Sequence, residues 1–97
     1  MEIKIENDKY IIVVEDALCI ENIVKIKKEL LTEIPNDRDI IVDMINVKCM
    51  DSSGLGVLVA LVKKQKSFDK EVSLININKG LFDLLKISSF DKFFKLM

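Results

Sequence analysis

The chain has 97 residues, 49% hydrophobic and 32% charged, the profile of one folded domain with no room for a second core. Fifteen basic residues against sixteen acidic ones leave a formal charge of −1, so the basic excess expected of a nucleic-acid binder is missing. The absence of histidine removes imidazole acid–base catalysis, Ser-His-Asp triads and most zinc sites.

Glu2 to Glu6 alternate polar and apolar and predict a half-buried strand. A turn at Asn7-Asp8-Lys9 leads into a second, more apolar strand over Tyr10–Glu15, and the two read as a hairpin. From Asp16 to Ile34 a short lead-in is followed by a helix. Ile23, Ile26, Leu30 and Ile34 form its apolar stripe, Val24 and Leu31 widen it, and Pro35 stops it. Ile40-Ile41-Val42 is a short buried strand between two aspartates. Ser52 or Ser53 then opens a helix running to about Ser67. Leu55, Leu58, Val59 and Val62 should face inward, and Lys63, Lys64 and Lys66 lie at the negative end of its dipole. Val72–Ile77 reads as a strand. Asn78 is placed to cap a helix over Lys79–Ile87 with Leu81, Leu84 and Leu85 inside, and Phe93–Met97 reads as a last strand. The order β-β-α-β-α-β-α-β predicts a single α/β domain over residues 1–97, with a mixed, largely parallel sheet covered by helices.

Cys19 and Cys49 form no C-x-x-C pair and read as small, buried, reduced thiols. No apolar run approaches the ~20 residues of a membrane span, and the N-terminus has no secretory pattern, so a cytoplasmic protein is expected.

Chemistry concentrates at Met50–Leu58, M-D-S-S-G-L-G-V-L, just past the C-terminal end of a buried strand and at the start of a helix. Open α/β sheets place ligands and partners at that edge. Ser52 or Ser53 is positioned to cap the free helix-start amides, and a phosphate on the hydroxyl would meet the same positive end. Gly54 and Gly56 in one turn weaken a helix and call for a reason, for which close helix–sheet packing suffices. The segment is neither a G-x-S-x-G elbow, a P-loop nor a G-x-G-x-x-G fingerprint. Asp43 and Asp51 are a conceivable Mg²⁺ pair, but acids at a strand end are more often solvated or capping groups, and neither a metal nor a cofactor is expected.

Asp43, Val47 and the run Met50–Leu58, with L-F-D-L-L-K-I-S-S-F-D-K-F-F over Leu81–Phe94, resemble the STAS domains of bacterial anti-sigma factor antagonists. The resemblance implies no catalysis by the domain itself. It implies that Ser52, directly after the motif aspartate, is phosphorylated by an anti-sigma factor that is also a serine protein kinase. Unphosphorylated antagonist binds that partner and frees a sigma factor; phosphorylation releases it, and a PP2C-like phosphatase resets the switch. Asp51, Ser53, Gly54 and Leu55 are then expected at the docking surface, with Asp43 beside it. Where many members carry G-E-L-D, this chain has Val14-Glu15-Asp16-Ala17, so Glu15 is retained as a partner-binding candidate in a loop that meets the kinase in the family. Family members usually continue into a further helix; uncovered neighbours of the final strand would favour a homodimer or a shared sheet edge. The alternative from another class is a STAS-like structural adaptor of a membrane-lipid transport complex that needs no phosphorylation.

Overall fold

The computed structural model describes residues 2–14, 22–87, 92 and 94–96. Five strands and three helices follow in the expected order: β1 (Glu2–Glu6), β2 (Lys9–Val13), α1 (Ile23–Thr32), β3 (Ile40–Asp43), α2 (Ser52–Lys66), β4 (Val72–Ile75), α3 (Lys79–Ile87) and β5 (Lys95–Leu96). They build one sheet whose spatial order is the chain order, β1-β2-β3-β4-β5. β1 runs antiparallel to β2 and all later neighbours are parallel. Asn7 and Asp8 both take positive φ (52° and 65°), as a two-residue hairpin of the sheet's own twist requires.

The topology dictates where the core sits. Parallel crossovers share one hand, and here each steps one strand further in the same direction, so all three helices fall on one face. On that face the register stacks Tyr10, Ile40 and Val72 in one row and Ile12, Val42 and Leu74 in the next. Ile26 and Leu30 of α1, Leu55, Leu58 and Leu61 of α2, and Leu81 and Leu85 of α3 close over these rows as a single cluster.

Several boundaries and faces differ from the sequence reading. β1 is exposed along its whole length: Ile3 and Ile5 pair with Ile12 and Tyr10 on the helix side, but they lie at the sheet edge, beyond the helices' cover. In α1 only Ile26 and Leu30 are buried. Val24 points to solvent, and Ile34 is buried after the helix has ended at Thr32. The buried arc of α2 is broader than expected and rotated. It takes in Gly54, Val57, Leu61 and Gln65, while Val59 and Val62 are half-buried at its flank. Cys49 is exposed rather than buried. Cys19, Glu15 and Asp16 lie outside the described residues.

Polar contacts tie the N-terminal ends of β2–β4 to the helix side. The Tyr10 hydroxyl donates to Asp37 Oδ1 at 2.8 Å, while Arg38 meets Asp8 and lies 5.8 Å from the centre of the Tyr10 ring. Gln65, fully buried, donates through Nε2 to the Arg38 carbonyl at 3.1 Å. Lys64 Nζ donates to the Ile34 carbonyl at 2.8 Å, and burial lowers the pKa of this ammonium. The hydrogen bond from Tyr10 holds the Asp37 carboxyl below its ordinary value of 3.8, and that same bond raises the Tyr10 phenol above 10.0.

Two outcomes follow from this packing. Leu58 has no exposed surface, so Leu58→Ala should cost about 2–5 kcal/mol in denaturant unfolding; a change under about 0.5 kcal/mol would place the residue outside the core. The Asp37 contribution is present above the unfolded carboxyl value and lost as pH falls through the lower folded one. The Tyr10 contribution is complete below the unfolded phenol value and lost as pH rises through the higher folded one. Tyr10→Phe should therefore flatten both the acid limb below pH 3.8 and the alkaline limb above pH 10.0 of a melting-temperature profile.

Candidate functional site

The site is the β3–α2 connection at the C-terminal edge of the sheet. β3 ends at Asp43, whose Oδ1 accepts from the Ile45 amide and from Asn76 Nδ2, each at 3.0 Å. Asn76 reaches it from a left-handed backbone position (φ 57°) directly after β4. The connection then dips inward twice, burying Met44 and Val47, and Met50 is buried just before the helix. Asn78 pins it from the α3 side: Nδ2 donates to the Val47 carbonyl at 3.2 Å, while Oδ1 caps α3 by accepting from the Leu81 amide at 2.9 Å. Ile45, Lys48 and Cys49 are left facing solvent.

Asp51, not either serine, caps α2. Its extended backbone (φ −110°, ψ −173°) aims Oδ1 at the helix start, where it accepts from the Ser53 amide at 3.0 Å and the Gly54 amide at 3.2 Å. The Ser53 hydroxyl also donates to Asp51 Oδ1. A capping carboxylate is well suited to this end, since it satisfies orphan amides and opposes the positive pole of the dipole.

The two serines are thereby separated. Ser53 is half-buried and committed to the cap. Ser52, in the first helical position, is exposed, and its hydroxyl has no hydrogen-bond partner among the described residues. Gly54 and Leu55 are buried, so the Leu55 side chain belongs to the core and presents no surface to a partner. Gly56 is the opposite case: it is exposed, and a Cβ added there would meet nothing within 4 Å. Close helix–sheet packing therefore accounts for Gly54 at most. Asp43 and Asp51 each serve their own turn, and no cluster of three or more potential metal ligands occurs among the described residues. Asn76 and Asn78 complete the site from the neighbouring β4–α3 connection. Asn78 was legible as a cap, but its hold on Val47 and the whole contribution of Asn76 depend on tertiary contact between two loops.

Gly56→Ala fills open space inside a helix, so it should raise the free energy of unfolding by about 0.5–1 kcal/mol. A loss of stability in thermal or denaturant unfolding would mean that the surface around Gly56 is closed.

A family model described as the STAS domain matches residues 1–97. The anti-sigma-B factor antagonist of Staphylococcus aureus is 36% identical over 63 residues, which are 63% of this chain and 58% of that protein's length. Among solved structures, TM1081 from Thermotoga maritima superposes with a TM-score of 0.90 at 28% identity, covering 98% of this chain and 83% of that one. The anti-sigma factor antagonist SpoIIAA in its unphosphorylated form shares the fold, with a TM-score of 0.74 at 16% identity over 99% of this chain and 86% of its own. No helix among the described residues is long and apolar enough to cross a membrane.

Proposed function

The chain belongs to the STAS domain family, and on that footing we propose that it is an anti-sigma factor antagonist, a cytoplasmic binding module switched by phosphorylation of Ser52. Unphosphorylated, it binds an anti-sigma factor with serine protein kinase activity and so frees a sigma factor; a PP2C-like phosphatase returns the phosphorylated form to the binding state. The domain is the substrate in this cycle and carries out no catalysis of its own. The S. aureus relative, named as an anti-sigma-B factor antagonist, supports the class of partner. The observation that carries the choice of residue is the division between the serines: Ser52 offers an exposed hydroxyl unengaged among the described residues, while the Ser53 hydroxyl is held by Asp51.

The geometry also bears on how phosphate would act. Asp51 already occupies the Ser53 and Gly54 amides, so a phosphate on Ser52 does not inherit free donors there. It adds about −1.5 to −2 charges beside a carboxylate, on a surface that a partner must desolvate. The helix dipole tolerates this charge within the fold, while the interface loses affinity, tenfold for every ~1.4 kcal/mol. Asp51 and Ser53 shape the site, Asp43 fixes the loop leading into it, and Gly54 and Leu55 anchor it from beneath. Glu15 would supply a further contact from the β2–α1 connection.

Ser52→Ala should abolish phosphorylation by the cognate kinase and preserve partner binding. Ser52→Asp should weaken binding by about tenfold or more, with circular dichroism and melting temperature nearly unchanged. Intact-mass analysis after incubation with kinase and ATP, together with calorimetric titration of the partner, reads both. Phosphorylation of Ser52→Ala at the normal rate, or wild-type affinity in Ser52→Asp, defeats the proposal.

A further inference from the structure

Gly56 stands inside the 15-residue α2, where glycine weakens a helix relative to alanine. Two features of a fold account for a helical glycine: a left-handed backbone, or a neighbour too close for a Cβ. Neither holds at position 56. No glycine among the described residues takes a positive φ, and a Cβ at 56 would meet nothing within 4 Å. Gly54 is buried, whereas Gly56 is exposed. Its place relative to Ser52 supplies a reason. Helical Cα–Cβ bonds tilt toward the N-terminus, so a side chain covers the turn that precedes its own Cα. The surface neighbours of Ser52 on that side are the residues three and four further on, with Cβ atoms about 5–6 Å away. They are Leu55, which is buried in the core, and Gly56, which has no side chain to lean over the serine. The Ser52 hydroxyl, unengaged among the described residues, is therefore left uncovered by its own helix.

We propose that Gly56 is a positioning residue for the phosphorylation of Ser52: its missing side chain keeps open the path by which a kinase brings ATP to the hydroxyl. This rests on Ser52 being the phosphoacceptor. In the transfer, Ser52 Oγ attacks the γ-phosphorus of ATP. An O–P bond forms as the bond to departing ADP breaks, and the hydroxyl proton passes to a base of the kinase. The attacking oxygen must come within about 3–3.5 Å of phosphorus, in line with the leaving group. The start of α2 is held in place for this approach. Asp51 accepts from the Ser53 and Gly54 amides, and Leu55, Val57 and Leu58 are buried beneath. The kinase must accordingly close on a formed helix, and a side chain at position 56 would stand beside the reacting oxygen, where the kinase has to fit. Helix stability is given up at Gly56 in exchange for access.

Single-turnover phosphorylation of the full chain tests this in Gly56→Ala and Gly56→Gln, with ATP and a purified anti-sigma factor kinase of the same organism that modifies the wild type. Melting temperatures are read on the same samples. Gly56→Ala should melt higher than the wild type yet be phosphorylated about threefold more slowly, and Gly56→Gln should fold and lose about tenfold or more, because small displacements of reacting atoms are costly. A glycine with a merely structural role would not move stability and rate in opposite directions. A wild-type rate in Gly56→Gln, with Ser52→Ala unmodified, overturns the inference and leaves Ser52 as the phosphoacceptor. A larger loss in Gly56→Ala than in Gly56→Gln also overturns it, since the rates would then follow helix propensity rather than size and make Gly56 a point of helix opening. Phosphorylation of Ser52→Ala at the normal rate, or a wild type that no such kinase modifies, removes the phosphoacceptor assignment itself and this inference with it.

Discussion

The structure hangs on the row Tyr10–Ile40–Val72 and its neighbour Ile12–Val42–Leu74, the two apolar ladders, aliphatic but for Tyr10, that run across β2, β3 and β4. Their burial requires a helix layer, and the chain supplies it by repeating one crossover in one direction, so three short helices share a single apolar floor. With aromatics at 6%, that floor depends on interlocked aliphatic volume rather than large rings. α2 sits at the centre, against both the sheet and α1, which is why its buried arc is so wide. The same arrangement delivers the start of α2 to the C-terminal edge of β3, the position at which an open α/β sheet meets its partners.

At that edge one carboxylate decides the local chemistry. By accepting two amides and a hydroxyl, Asp51 fixes the first turn of α2 and makes neighbouring serines chemically unequal. The remaining contacts are loop-to-loop: Asp43 with Asn76, and Val47 with Asn78, connect the β3–α2 and β4–α3 turns, so the surface around Ser52 is held from two sides.

Periodicity sufficed for the order of all eight elements, because each carries an apolar run or stripe set off from its neighbours by turn or polar residues. It faltered where burial depends on what lies opposite. Ile3 and Ile5 have an ideal strand alternation, yet the helices end short of them; Val24 has helical spacing, yet it faces solvent. α2 is apolar nearly all round, so spacing alone could not choose between the Leu55–Leu58–Val59–Val62 arc and the one through Val57, Leu61 and Gln65. Burial of Gln65 depends on the Arg38 carbonyl, 27 residues away in sequence, which no local rule reports. At the site the motif D-S-S-G-L-G was visible in sequence, but which of its residues caps was not, since Asp and Ser are equally good caps and only the backbone at Asp51 selects between them.

The asparagine clamps on the β3–α2 connection carry a kinetic consequence. A loop already fixed by Asn76, Asn78 and the buried Val47 and Met50 loses little conformational freedom when a second protein settles on it. Encounter then needs no slow reshaping of the loop, and its rate is governed by diffusion and charge. Changes at this surface that leave its charge alone should accordingly be felt as altered residence time of the complex, with the rate of its formation moving far less.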